Sequence, residues 1–186
     1  MKQTKMKISA LIIIYSLLVV ILPAKAQNCY DQTVQTRDGK TIPLSAYKGQ
    51  KILIGILPGV QSQDDKSVLK RIDSIANMLS GKIVVIAIPS YEVSGGTDSI
   101  DVLLKWYKAV FTSNIVQSIP VYTNKSSGAQ QDNLFNWLTH ASKNTHFDYE
   151  ITGGGTMFLI NENGELTSIM GREARFSNKA LRMILK

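Results

Sequence analysis

After their leading lysines, two stretches of the chain, "KILIGILP" (residues 51–58) and "KIVVIAIP" (82–89), hold no polar side chain. A strand with one face in water alternates apolar and polar residues. An unbroken, β-branched apolar run has both faces covered. The chain must therefore build a sheet sandwiched between two further layers. Between the runs, Val68, Leu69, Ile72, Ile75, Ala76 and Leu79 recur at helical spacing and Gly81 ends the pattern. Ser62 is the expected cap of that helix, with Asp65 answering it three residues on.

The other elements follow from the same signals. Residues 30–44, "YDQTVQTRDGKTIPL", read as two short strands about an Asp38-Gly39 turn. After the loop "SYEVSGGTD" (90–98), Ile100, Leu103, Leu104, Tyr107 and Phe111 mark a second helix. "SIPVYT" (118–123) reads as a third core strand and "DNLFNWLTHAS" (132–142) as a third helix. A hairpin turning at Asn163-Gly164 spans 156–170, and a short helix capped by Ser177 closes the chain at 177–186. There is no repeat and no linker. The expected architecture is one α/β domain, residues 27–186, with a mixed sheet and helices on both faces.

Residues 1–26 read as a signal peptide. Lys2, Lys5 and Lys7 precede an uncharged apolar run from Ile8 to Leu22, and Ala24-Lys25-Ala26 supplies the small residues of a cleavage site. As a helix that run reaches about 22 Å, short of a hydrocarbon core of about 30 Å. Export is therefore expected, to the periplasm or outside, with cleavage after Ala26. A lipoprotein anchored at Cys29 is less favoured, because Gln27 and Asn28 precede it instead of small residues. The formal charge of +7 falls to +3 without the leader, which carries four of the 21 basic residues. No basic stripe or Arg-rich helix suggests nucleic acid. His140 and His146, with no ligand-like spacing, suggest no metal.

"YDQTVQTRDGKTIPLSAYKGQKILI" (30–54) resembles the opening of the glutathione peroxidases: a strand, an Asp-Gly-Lys turn, a Leu-Ser-x-Tyr-Lys-Gly segment and a buried strand. "IPSYEVSGG" (88–96), Pro120, "DNLFNWLT" (132–139) and "GGGTMFLINENGEL" (153–166) are similar, in order and spacing, to later segments of that family. The resemblance spans nearly all of residues 30–186. It implies a thioredoxin-like three-layer α/β/α sandwich with an N-terminal β-hairpin and a mixed central sheet. It also implies peroxide reduction by a cysteine or selenocysteine helped by Gln, Trp and Asn.

Carried across residue by residue, that set is not retained. The nucleophile position falls on Gln61 by count from Lys48-Gly49, or on Val60 by the helix register, and neither can be oxidised and recycled. The glutamine position holds Glu92, an acceptor when ionised, and the Trp-Asn pair falls on Gly153-Gly154. Gly155 stands near the place where thioredoxin-like proteins often carry a cis-proline. Glu92 as a cation ligand or general base is weighed below a solvated loop acid, and Gly153–Gly155 as an anion-binding loop below a tight lead into the next strand. Trp106 and Trp137 are expected in the core or a subunit contact.

Cys29 is the single cysteine and the one candidate redox thiol. It precedes the first strand with no helix start or cation beside it. A small residue at the hairpin edge, or a free thiol able to pair with another molecule, is the preferred reading over a catalytic one. The functional expectation is an exported, glutathione-peroxidase-like binding or structural envelope protein without peroxidase chemistry. Its expected partner is a protein, a peptide or a small ligand at the old active-site cleft, with no cofactor and no stable membrane span after leader removal. The alternatives are an active thiol peroxidase of the oxidative-stress response using non-standard residues, and a hydrolase or metal-dependent enzyme built on Glu92.

Overall fold

The computed structural model describes residues 27–93, 98–124 and 130–173. The leader expected at 1–26, Ser94-Gly95-Gly96 and the helix expected at 177–186 lie outside the described residues. A 3-10 turn at Cys29–Asp31, capped by the Asn28 side chain, leads into the hairpin β1 (Thr33–Gln35) and β2 (Thr41–Pro43). Gly39 supplies the positive φ of its turn. A second 3-10 turn at Leu44–Tyr47 feeds β3 (Ile52–Leu57), followed by α1 (Gln63–Met78), β4 (Val84–Pro89) and α2 (Ile100–Val110). Then come β5 (Val116–Gln117), α3 (Asn133–Thr139), α4 (Ala141–Asn144), β6 (Met157–Ile160) and β7 (Leu166–Met170).

The main sheet runs β5-β4-β3-β6-β7. β3, β4 and β5 are parallel, while β6 runs antiparallel to both β3 and β7. Every residue of β3 is buried, as its unbroken apolar run requires. Ile52, Ile54 and Ile56 face one layer, with Ile86, Ile88, Phe158 and the Phe135 and Trp137 side chains of α3. Leu53 and Leu57 face the other, with Val85, Met157 and the apolar faces of α1 and α2. At about 1.5–3 kcal/mol per buried large aliphatic side chain, these faces dominate the packing. Gly55 lets α1 cross β3 closely, because a Cβ there would stand 3.3 Å from Ile72 Cδ1.

Ser62 caps α1 as expected, its hydroxyl accepting from the Asp65 amide at 3.0 Å. Two expectations need correction. The third core strand is not 118–123 but the two residues Val116–Gln117. Ile119 turns away to donate to Gln35 of the hairpin, and Pro120 has no N–H to give. Pairing with β4 resumes only at Val121, whose amide reaches Pro89. The helix expected at 132–142 breaks at His140, which has extended dihedrals. Thr139 Oγ1 takes the Phe135 carbonyl, and Asn144 Nδ2 takes those of Trp137 and Leu138. Side chains thus cap a helix that the apolar pattern would have carried on.

Candidate functional site

The carboxyl end of β3 is where an open α/β sheet offers a crevice. There the chain runs from Leu57 through Pro58, Gly59, Val60 and Gln61 into the Ser62 cap of α1. Val60 is half-buried and Gln61 exposed. The Pro58 carbonyl accepts from the buried Tyr107 hydroxyl at 2.6 Å. Burial foremost, then the charges of Asp98 and Asp65, raise the Tyr107 hydroxyl above its ordinary range and keep it a donor. The Asp98 amide donates to the Gly59 carbonyl at 2.8 Å. Its carboxylate accepts from the Gln61 amide at 2.7 Å. A main-chain N–H just ahead of a helix start, a usual donor to a bound anion, is thus spent on a carboxylate of the chain itself.

Gly154 comes to this junction, whereas a Cβ on Gly153 would stand 3.7 Å from Arg172 Cδ. A Cβ on Gly154 would stand 3.2 Å from the Pro58 nitrogen, so the two backbones pass at close range and a side chain would be crowded there. Gly155 has φ +89° and donates to the Ile56 carbonyl at 2.7 Å. A Cβ there would meet Arg71 Nη2. All described peptide bonds are trans, including those at Gly155. The triple glycine leads tightly into β6.

Glu92 is aimed elsewhere. Its Oε2 accepts from the Asn124 amide at 2.5 Å and from Thr123 Oγ1 at 3.2 Å. Thr123 in turn meets buried Ser90 at 2.7 Å, and Asn124 exchanges hydrogen bonds with Ile151. Glu92 is therefore a half-buried clamp between two loops, not the solvated acid expected. The main chain of its neighbour Val93 reaches the junction through a long 3.5 Å bond from the Gly59 amide.

Cys29 is at the other end of the molecule. Its amide donates to the Gly164 carbonyl, in the β6–β7 turn. Ile160 pairs with Ile52 at the amino end of β3, whereas the junction follows Leu57. Roughly 17 Å of strand separates these ends. Cys29 is fully buried within the α3-side layer, so it is a core residue and not a hairpin edge. Burial, with a smaller contribution from Asp31, pushes its thiol up to about 12. A thiol held there stays protonated at neutral pH and is a poor nucleophile.

Trp106 and Trp137 are both buried, and Trp137 Nε1 donates to the Gln27 carbonyl. His140 and His146 turn their Nδ1 atoms to local carbonyls. Sequence reasoning missed Asp98 and Tyr107. The only signal for Asp98 was a carboxylate just ahead of a helix start, and such residues usually cap their own helix.

No protein-family model and no curated protein sequence matches this chain. Solved structures do. T. cruzi GPX1 is similar with a TM-score of 0.62 at 18% identity, over 86% of this chain and 94% of that one. Trgpx in its apo form gives 0.62 at 14%, over 87% and 98%. The pneumococcal exposed lipoprotein thioredoxin Etrx1 of Streptococcus pneumoniae gives 0.51 at 21%, over 83% and 96%. The fold is thioredoxin-like. At these identities the likeness is one of fold, and the chemistry of this thioredoxin-like domain has to be argued from its own junction.

Proposed function

We propose that this is an exported, glutathione-peroxidase-like protein on a thioredoxin-like fold that has no peroxidase chemistry and acts by binding. Its partner is a protein, a peptide or a small ligand at the former active-site cleft of the envelope-located domain. The observation that carries this reading is the Gln61 amide bound to the Asp98 carboxylate. A peroxidatic centre needs a thiolate or selenolate beside free donors. Here positions 60 and 61 hold valine and glutamine, and a resident carboxylate faces the amide of Gln61. Burial of Cys29 and its roughly 17 Å of intervening strand argue against that thiol serving in its place. The leader-like residues 1–26 support export. No helix among the described residues is long and apolar enough to cross a membrane.

The test is hydroperoxide consumption by the purified chain with thioredoxin or glutathione as reductant. The expected result is no turnover above the protein-free rate. Catalytic turnover abolished by Cys29→Ser would establish the peroxidase alternative instead. Mass spectrometry before and after peroxide reports the amino terminus and the state of Cys29 together.

A further inference from the structure

A polar cavity of about 490 Å³ lies outside the junction, between the first turns of α1 and the Arg172–Glu173 turn. Its lining includes Gln63, Asp64, Ser67, Arg71, Arg172 and Glu173. Arg71 Nη2 donates to the Gly155 carbonyl at 2.9 Å and Nη1 to the Arg172 carbonyl. Its buried Nε has no partner, and none of the ion pairs among the described residues includes Arg71. A guanidinium carries five N–H groups, so its two Nη atoms keep donors beyond those given to the carbonyls, and the opposing charge it feels at the cavity wall is that of Glu173. Arg172 is different, since its guanidinium faces Asp65 at 3.5 Å.

Asp64 lies seven residues before Arg71, on the same face of α1 and about 10 Å away along the axis. It stands in the first helical turn, where the helix dipole favours a carboxylate, and is likewise outside those ion pairs. The floor between them is Ser67 and Val68. The cavity is thus acidic at its Asp64 end, while its other end carries Arg71 and Arg172 against the single carboxylate of Glu173. An extended peptide advances about 3.3–3.6 Å per residue, so three residues match the spacing of these two helix positions.

We infer that this cavity binds the two charged ends of a short peptide, the ammonium at Asp64 and the terminal carboxylate at Arg71. No thiol is required, and the inference stands whether or not the junction is catalytic. Glu173 also lines the cavity and offsets part of the Arg71 charge, which makes the expected affinity modest, with a Kd of roughly 1 mM.

The probe is trialanine, titrated into the isotopically labelled chain while amide resonances are followed. Trialanine is expected to shift the resonances of Asp64, Ser67 and Arg71. N-acetylation, C-terminal amidation or the exposed substitution Asp64→Asn should each weaken binding about tenfold. Arg71→Lys keeps the charge while losing the fork, and folding of each variant is checked by its melt. Absence of shifts at about 10 mM trialanine, ten times that Kd, overturns the inference. So does binding indifferent to both end-blocking and Asp64→Asn, or shifts confined to residues 58–61.

Discussion

Placing a thiol at the junction tests whether Asp98 has taken over the electrostatic work of the helix start. In Gln61→Cys, the new side chain emerges from a residue whose amide is 2.7 Å from the Asp98 carboxylate. An unperturbed thiol titrates near 8.5, and a helix start lowers that by stabilising the thiolate by about 0.3–1 kcal/mol. The carboxylate opposes this. Two like charges roughly 6 Å apart, at an effective dielectric of about 40 for a half-exposed pair, repel by about 1.4 kcal/mol. The single variant should therefore hold a thiol no more acidic than a free one. Adding Asp98→Asn removes the repulsion and should raise the thiolate fraction at pH 7 by about tenfold. The assay is the pH dependence of iodoacetamide alkylation. Cys29 does not confuse it, being buried with its thiol pushed up to about 12. Equal alkylation rates for the single and double variants across pH 6–9, with both folded, would refute the assignment of Asp98 as the resident anion.

Two further predictions concern stability. Asp73 accepts from the Thr112 and Ser113 amides at 2.9 Å each and from both hydroxyls, pinning α1 to the segment before β5. Burial alone would raise its carboxyl, but the bonds from Ser113 and Thr112 outweigh it and hold the group below its ordinary value. Because the folded value is the lower one, the contribution is complete above the unfolded value near 3.9 and is lost as pH falls through the folded one. Asp73→Ala should cost about 2–4 kcal/mol at pH 7 and lose less in acid, measured by urea melts at both pH values. Thr145 is a β-branched residue at φ +67°, a conformation that glycine adopts without strain. Thr145→Gly should stabilise the fold by roughly 1 kcal/mol, raising Tm by about 2–4 °C; an unchanged or lower Tm contradicts the strain.

The layered sheet was legible because burial on two faces leaves a mark in one dimension, namely runs such as 52–57 without a polar residue. Hairpin turns at Asp38-Gly39 and Asn163-Gly164 were legible for a similar reason, since their backbone geometry restricts which residues fit. The strand expected at 118–123 and the helix expected at 132–142 were misread. There the outcome turned on hydrogen bonds to distant partners: Ile119 to Gln35 across the hairpin, and Asn144 back onto the carbonyls of α3. Local pattern carries no trace of such pairings.

By itself the sequence determined the two-faced sheet, the helix that starts at Ser62, and the absence of an oxidisable side chain at residues 60 and 61. Only the tertiary structure decided that Asp98, 37 residues along the chain, occupies the Gln61 amide, that Glu92 clamps a neighbouring loop, and that Cys29 is enclosed at the opposite end of β3. The physical reason is range. Backbone preference and hydrophobic period act over a few neighbouring residues, whereas the state of a carboxylate or a thiol depends on which remote groups the folded chain brings against it.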